Sequence, residues 1–177
     1  TEIYTLSLHD ALPISATVYI EPLHISNKLY IIGAGHCGKA LGQLAMLSGF
    51  YVTLIDNRHE CLSEDLSAYG HEKIYNDYSV ISAHISTGSN SWIVIMTHGH
   101  LHDKQVLQQC LKLPTRYLGM IGSKNKVKET FTKLIEQGFE QQNLDKVHAP
   151  IGLRIGSQTP YEIAISIMAE IIKELRL

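Results

Sequence analysis

The stretch Leu29-Tyr30-Ile31-Ile32-Gly33-Ala34-Gly35-His36-Cys37-Gly38 decides the fold of this chain. Apolar residues run straight into G-x-G-x-x-G, and a helix-forming sequence follows. In such a turn the first glycine permits the tight bend, the second lets a phosphate reach the backbone, and the third lets helix and strand pack closely. The free N–H groups and positive dipole end of the following helix favour an anion at the same place. Context gives the pattern its weight. Tyr51–Ile55 is a second apolar run and ends in Asp56, 18 residues after Gly38, the distance at which an acid meets a ribose hydroxyl in dinucleotide-binding units. The stretch therefore reads as a Rossmann-like βαβ unit. A bound dinucleotide is a separate question.

Outward from that unit, strand and helix patterns alternate. Apolar runs at Lys28–Ile32, Tyr51–Ile55, Lys73–Tyr75, Trp92–Met96 and Tyr117–Ile121 read as strands, and Ser86–Ser91 as loop. Helical patterns cover the residues after Gly35, Cys61–Tyr69, His102–Leu113, Lys124–Gln137 and a turn at Asn143–Val147. Ser79–Ile85 fits neither period. Thr159-Pro160-Tyr161-Glu162 is a capping box and opens a last helix with Ile163, Ala164, Ile167, Met168, Ile171, Ile172 and Leu175 on one stripe. The expected fold is α/β: a doubly wound, mainly parallel sheet of order 3-2-1-4-5 with helices on both faces. Residues 16–177 form one such domain, with Ala16–Asn27 an extended lead-in. Thr1–Ser15 fits nothing that follows, resembles translated sequencing-adapter sequence, and is set apart as a leader.

Composition narrows the function. The chain has 177 residues, 45% of them hydrophobic and 18% charged, with net charge −2. That suits a globular domain, and without a basic cluster it is a poor nucleic-acid binder. No apolar run reaches the roughly 18 residues of a membrane span; the longest, Ile163–Ile172, is interrupted by Glu170. Cys37, Cys61 and Cys110 form no C-x-x-C, which reads as free thiols in a reducing, cytoplasmic setting.

In a sheet of this order, ligands sit at the strand C-termini where the order reverses. Three loops should meet there. The first is Gly33–Gly38 with Asp56 and Arg58 beside it; Asp56 is placed to read a ribose or to pair with Arg58. An acid at that place favours NAD over NADP, and Arg58 blurs the choice. The second is Thr97-His98-Gly99-His100-Leu101-His102-Asp103. It resembles the H-x-H-x-D-H box of metallo-β-lactamase-like hydrolases with its last two residues exchanged, so His98, His100 and Asp103 are candidate metal ligands. The bland alternative has Asp103 capping a helix and the histidines lining the rim, with His148 the remaining histidine candidate downstream. The third is Gly122-Ser123-Lys124-Asn125-Lys126, where a helix start, a hydroxyl and two lysines suit an anion. The lysines oppose the helix dipole unless something negative is near. Cys37 lies in a first helical turn, which stabilises a thiolate, or it is a small packing residue; His36 precedes it.

These residues resemble the C-terminal Rossmann domain of the xanthine dehydrogenase accessory protein family (XdhC/CoxI), from about Glu21 to Ile172. The resemblance rests on E-P-L, G-A-G-H-C-G, D-N-R-H-E at Asp56–Glu60, M-T-H-G-H-L-H-D at Met96–Asp103, and Y-L-G-M-I-G-S-K-N-K at Tyr117–Lys126. It continues in H-A-P-I-G-L-R-I-G at His148–Gly156 and T-P-Y-E-I-A-I-S-I-M-A-E-I-I. It implies a maturation factor that binds the molybdenum cofactor (molybdopterin), shields it while a cysteine desulfurase exchanges an oxo for a sulfido ligand, and delivers it to a molybdenum hydroxylase of the xanthine dehydrogenase type. The sequence leaves the oligomeric state open, with a homodimer as one candidate. Gly33, Gly35, His36, Cys37, Gly38, Asp56, Arg58, Thr97, His98, His100, Asp103, Gly122, Ser123, Lys124 and Lys126 are then the candidate cofactor-binding residues, with NAD(P) a second candidate ligand. Full-length members carry an N-terminal domain with a cysteine-containing segment that this chain does not match. An NAD-dependent oxidoreductase and a metal-dependent hydrolase are the competing readings.

Overall fold

The computed structural model describes residues 2–7, 15–20, 27–63 and 65–177. Residues 8–14 of the leader and 21–26 of the lead-in lie outside these. In chain order the elements are β1 (Glu2–Ser7), β2 (Ser15–Ile20), β3 (Lys28–Ile32), α1 (His36–Leu47), β4 (Tyr51–Asp56), α2 (His59–Leu62) and β5 (Glu72–Tyr75). A 3-10 segment at Tyr78–His84 leads into β6 (Gly88–Ile95), α3 (His100–Cys110), β7 (Thr115–Met120), α4 (Lys124–Glu136), α5 (Gln141–Leu144) and α6 (Pro160–Arg176). β1 and β2 form an antiparallel pair of their own, which nothing in the leader's composition suggests.

The other five strands form one sheet of order β5-β4-β3-β6-β7, every pair parallel. This is the 3-2-1-4-5 order, with the switch point between β3 and β6. The central strands are largely apolar where both faces are covered, as at Leu29–Ile32 and Trp92–Ile95. Side chains alternate between the two. Leu29, Ile31, Val52, Leu54, Trp92 and Val94 face α1 and α6. Tyr30, Ile32, Ile55, Ile93, Ile95 and Met120 face α3, α4 and the 3-10 segment.

Several local expectations give way to tertiary pairing. The polar run Gly88–Ser91 is strand, because Ser91 pairs with Lys28 and Gly88 with Thr115 across a register shift. The helix expected over Cys61–Tyr69 is only the short α2; Asp65 Oδ1 accepts the Ser67 N–H at 2.9 Å, a local turn that competes with helix. α5 ends before Val147. The following residues instead hydrogen-bond along the outer edge of β7, through His148 N to Leu118 O (2.9 Å), Met120 N to His148 O and Ile151 N to Met120 O (both 3.0 Å). α3 begins at His100 rather than His102, since Gly99 with φ 106° supplies its N-cap. The capping box of α6 forms as read. Its apolar stripe is narrower than expected, for Ile172 is 41% exposed.

Candidate functional site

At the end of β3 the three glycines do different work. Gly33 has φ 120°, and a Cβ there would lie 2.2 Å from the Met96 carbonyl oxygen. A Cβ on Gly38 would lie 1.9 Å from the Gly33 carbonyl oxygen. These two are fixed by packing. Gly35 is the N-cap of α1 with φ −73°, and the atom nearest a Cβ there is the Arg58 Nη2 at 3.8 Å. Space therefore opens over Gly35, with a guanidinium at its side. α1 has no side-chain cap and no acid in its first turn, so its leading amides keep their positive field toward that space.

Arg58 is held in place by a buried acid. Asp56 is 0% exposed. Its Oδ1 accepts from Arg58 N (2.9 Å) and Nε (3.0 Å), and its Oδ2 from Arg58 Nη2 (2.9 Å) and Ala34 N (2.7 Å). Burial alone would raise this carboxyl. The Arg58 and Ala34 hydrogen bonds outweigh it and hold Asp56 below the usual aspartate value, and the same pairing raises Arg58. Of the two roles open to Asp56, pairing with Arg58 prevails, and with the Ala34 bond it uses all four acceptor positions. The guanidinium, its side chain 28% exposed, carries positive charge to the rim.

His36 opens α1 and is exposed. Cys37 packs against the α1–α6 side of the core, and burial pushes its thiol up. Burial thus works against a thiolate in spite of the first-turn position, and the side chain is in packing contact with the core. Cys61 is also raised, first by burial and then by the Asp56 charge.

The other two loops are tied to each other. Asp103, 0% exposed, turns back from the first turn of α3. Its Oδ1 accepts from Thr97 N (3.1 Å) and Thr97 Oγ1 (2.6 Å), and its Oδ2 from Lys126 Nζ (2.5 Å). The negative partner that Lys126 needs at a helix start is therefore inside the protein, and Asp103 neither caps α3 nor faces outward. Ser123 caps α4 by accepting from Lys126 N at 3.3 Å. Lys124 and Ser123 are exposed beside Gly122. Among the described residues no three His, Cys, Asp or Glu side chains gather to hold a metal. The His100 side chain lies outside the described residues.

His98 does reach the rim, exposed, and shares a ring cluster that sequence reasoning missed. Its ring centroid is 5.1 Å from His102 and 6.4 Å from Tyr78, with Tyr78 and His102 5.2 Å apart. The H-L-H-D spacing contained His102, but only with α3 starting at His100 does it fall beside His98. Tyr78 gave no periodic signal. His148 is elsewhere. It stacks on Tyr117 at 4.4 Å and lies 3.2 Å from Glu170, whose carboxylate also accepts from Tyr117 Oη (2.6 Å) and Gly152 N (3.0 Å). That cluster anchors the 148–152 segment to α6.

Known proteins are similar to this chain in sequence and, for one solved structure, in fold. The XdhC Rossmann domain family matches residues 29–171. Uncharacterized protein YqeB of Escherichia coli (strain K12) is 30% identical over 158 residues, covering 89% of this chain and 29% of its own length. A probable xanthine dehydrogenase subunit of Bacillus subtilis (strain 168) is 26% identical over 159 residues, covering 90% and 46%. Molybdenum cofactor insertion chaperone PaoD of E. coli (strain K12) is 24% identical over 105 residues, covering 59% and 33%. A crystal structure described as a xanthine dehydrogenase from Bacillus halodurans superposes with TM-score 0.75 at 29% identity, over 85% of this chain and 43% of that one. The chain thus spans less than half the length of each of these relatives.

Proposed function

This chain belongs to the XdhC Rossmann domain family, and from that membership we propose that it is the part of a maturation factor that holds the molybdenum cofactor for a molybdenum hydroxylase of the xanthine dehydrogenase type. The observation that carries the reading is the open space over Gly35, flanked by Arg58 and faced by the leading amides of α1. A phosphate monoester matches that donor set: a fixed guanidinium for its charge, backbone amides for its oxygens, and no side chain in its way. The chaperone name carried by PaoD points to the same class of ligand.

Within this reading each rim residue has a task. Arg58, oriented by Asp56, binds the phosphate end. Thr97, Asp103 and Lys126 brace the β6–α3 loop against the β7–α4 loop. His98, Ser123 and Lys124 are exposed on that braced rim to meet the polar remainder of the ligand. Bound there, the cofactor would supply a molybdenum–dithiolene centre, and a cysteine desulfurase would be the partner that supplies its sulfur. The protein's part is to bind, orient and shield it, and no residue of the chain is given a bond-making role.

The test is delivery. A cofactor-free molybdenum hydroxylase is incubated anaerobically with released cofactor, with or without this chain. The reading predicts faster and fuller activation with the chain, and loss of that gain with Arg58→Ala. Equal activation by free cofactor and by the chain would contradict it.

A further inference from the structure

A Rossmann glycine loop ordinarily cradles a pyrophosphate while the acid ending the next strand reads the adenosine ribose. The nucleoside then occupies the crevice between that acid and the helix after the fourth strand. In this chain those walls are the end of β4 and the start of α3. The space between them is filled from within.

Tyr78 fills it. The residue is 0% exposed. Its ring packs against His102 and His98 at the α3 end, at 5.2 and 6.4 Å. Its hydroxyl lies at the β4 end, beside Asp56 and the Asn57 N–H. Burial, then the neighbouring Asp56 charge, push the phenol above the ordinary tyrosine value. It has no hydrogen-bond partner of good geometry, and neither does the buried Asn57 Oδ1. The segment is pinned from both sides. Asp77 caps it by accepting from Ser79 N at 2.7 Å, and Gln109 of α3 donates to the Tyr78 carbonyl at 2.7 Å and accepts from Ser82 N at 3.2 Å. A buried hydroxyl without a partner costs stability, so packing alone does not favour tyrosine here over phenylalanine. The ribose-reading acid is closed as well, since Arg58 and Ala34 occupy its four acceptor positions.

We infer that Tyr78 is a specificity residue: together with the Arg58–Asp56 pair it closes the nucleoside half of the Rossmann cleft, so the glycine loop accepts a phosphate monoester and rejects dinucleotides. This inference rests on the reading of the Gly33–Gly38 loop as a phosphate site. It also sets the ligand's direction. With the β4 side closed, the rest of the molecule extends over β6 and β7, toward His98, Ser123 and Lys124.

The experiment compares two probes on the full chain by equilibrium dialysis: the fluorescent oxidised pterin phosphate obtained from the cofactor, and ADP-ribose. Wild type is expected to bind the pterin phosphate at least 100-fold more tightly than ADP-ribose. Tyr78→Ala is expected to gain at least tenfold in ADP-ribose affinity with pterin phosphate affinity unchanged. Tyr78→Phe, which keeps the ring, is expected to exclude ADP-ribose as wild type does. Where Tyr78→Ala does not fold, Tyr78→Leu, which keeps apolar volume but vacates the β4 end, is judged by the same gain. Wild type binding ADP-ribose as tightly as the pterin phosphate would overturn the inference, as would a folded Tyr78→Ala or Tyr78→Leu with no gain. Failure of wild type to bind the pterin phosphate, with the gain in ADP-ribose still seen, would instead remove the phosphate reading and leave the closure standing.

Discussion

Gly35 and Gly38 stand three residues apart in one motif, yet a methyl group should affect them in opposite ways. At Gly38 it would meet the Gly33 carbonyl oxygen at 1.9 Å; at Gly35 it meets nothing closer than 3.8 Å. Gly38→Ala is therefore expected to lose more than about 2 kcal/mol in denaturant unfolding, and Gly35→Ala less than about 1 kcal/mol, the cost of alanine at an N-cap. Only Gly35→Ala should keep the fold and weaken anion binding. The Asp56 carboxyl gives a pH prediction. Its folded value is lowered, so its contribution is fully present above the unfolded value of about 3.9 and is lost as pH falls through the folded value. Asp56→Asn should flatten the acid limb of a stability-versus-pH curve; an unchanged limb would contradict the pairing. The thiols make a third case. Burial pushes Cys110 up to about 12 and raises Cys37. Native alkylation at neutral pH, followed by mass spectrometry, should leave Cys110 unlabelled and label Cys37 more slowly than a free thiol. Spacing put Asp56 and Cys37 beside the glycine loop and left two uses open for each. Whether an acid pairs with a residue two places on, or a thiol in a first turn is buried, depends on neighbours that a local pattern does not contain.

Between elements, the Asp103 carboxylate is the tie. It joins the loop after β6 to the start of α4 through Lys126, although 23 residues separate the two. Removing the cation leaves a fully buried charge without its partner, so Lys126→Ala should cost about 3 kcal/mol. Lys124→Ala, two residues away and exposed, should stay within about 0.5 kcal/mol. Equal effects of the two in thermal or urea unfolding would contradict the assignment. The elements also show where sequence is readable. The Thr159–Glu162 capping box was legible because all its partners lie within four residues, and β3, β4 and β6 were legible because a strand buried on both faces must be apolar. Tyr78–His84 was not, since its 3-10 geometry, kinked at Val80, is held by Gln109 and by the core that Tyr78, Ile81 and Ile85 enter. Gly88–Ser91 reads as loop by composition and becomes strand only because Lys28 and Thr115 supply its partners. The early start of α3 follows from Gly99, whose φ of 106° no spacing rule announces.

On the scale of the whole molecule, the parallel sheet brings the ends of β3, β4, β6 and β7 to one rim, and the alternation of strands and helices was enough to foresee it. The rim's division was not legible. Its β4 side is closed by Asp56–Arg58 and Tyr78, and its β6–β7 side is braced by Asp103–Lys126, leaving exposed His98, Ser123 and Lys124 as its polar face. The function proposed for this rim stands or falls with a phosphate-bearing cofactor seating on the glycine loop beside Arg58. That seating is read by the retention of released molybdenum cofactor after anaerobic incubation and desalting, with pterin counted by fluorescence and molybdenum by mass spectrometry, for wild type and Gly35→Ala. About one pterin per chain is expected for wild type, and at least a tenfold loss for a Gly35→Ala protein that unfolds like wild type. Equal retention by the two proteins would contradict the seating and move the cofactor off this loop.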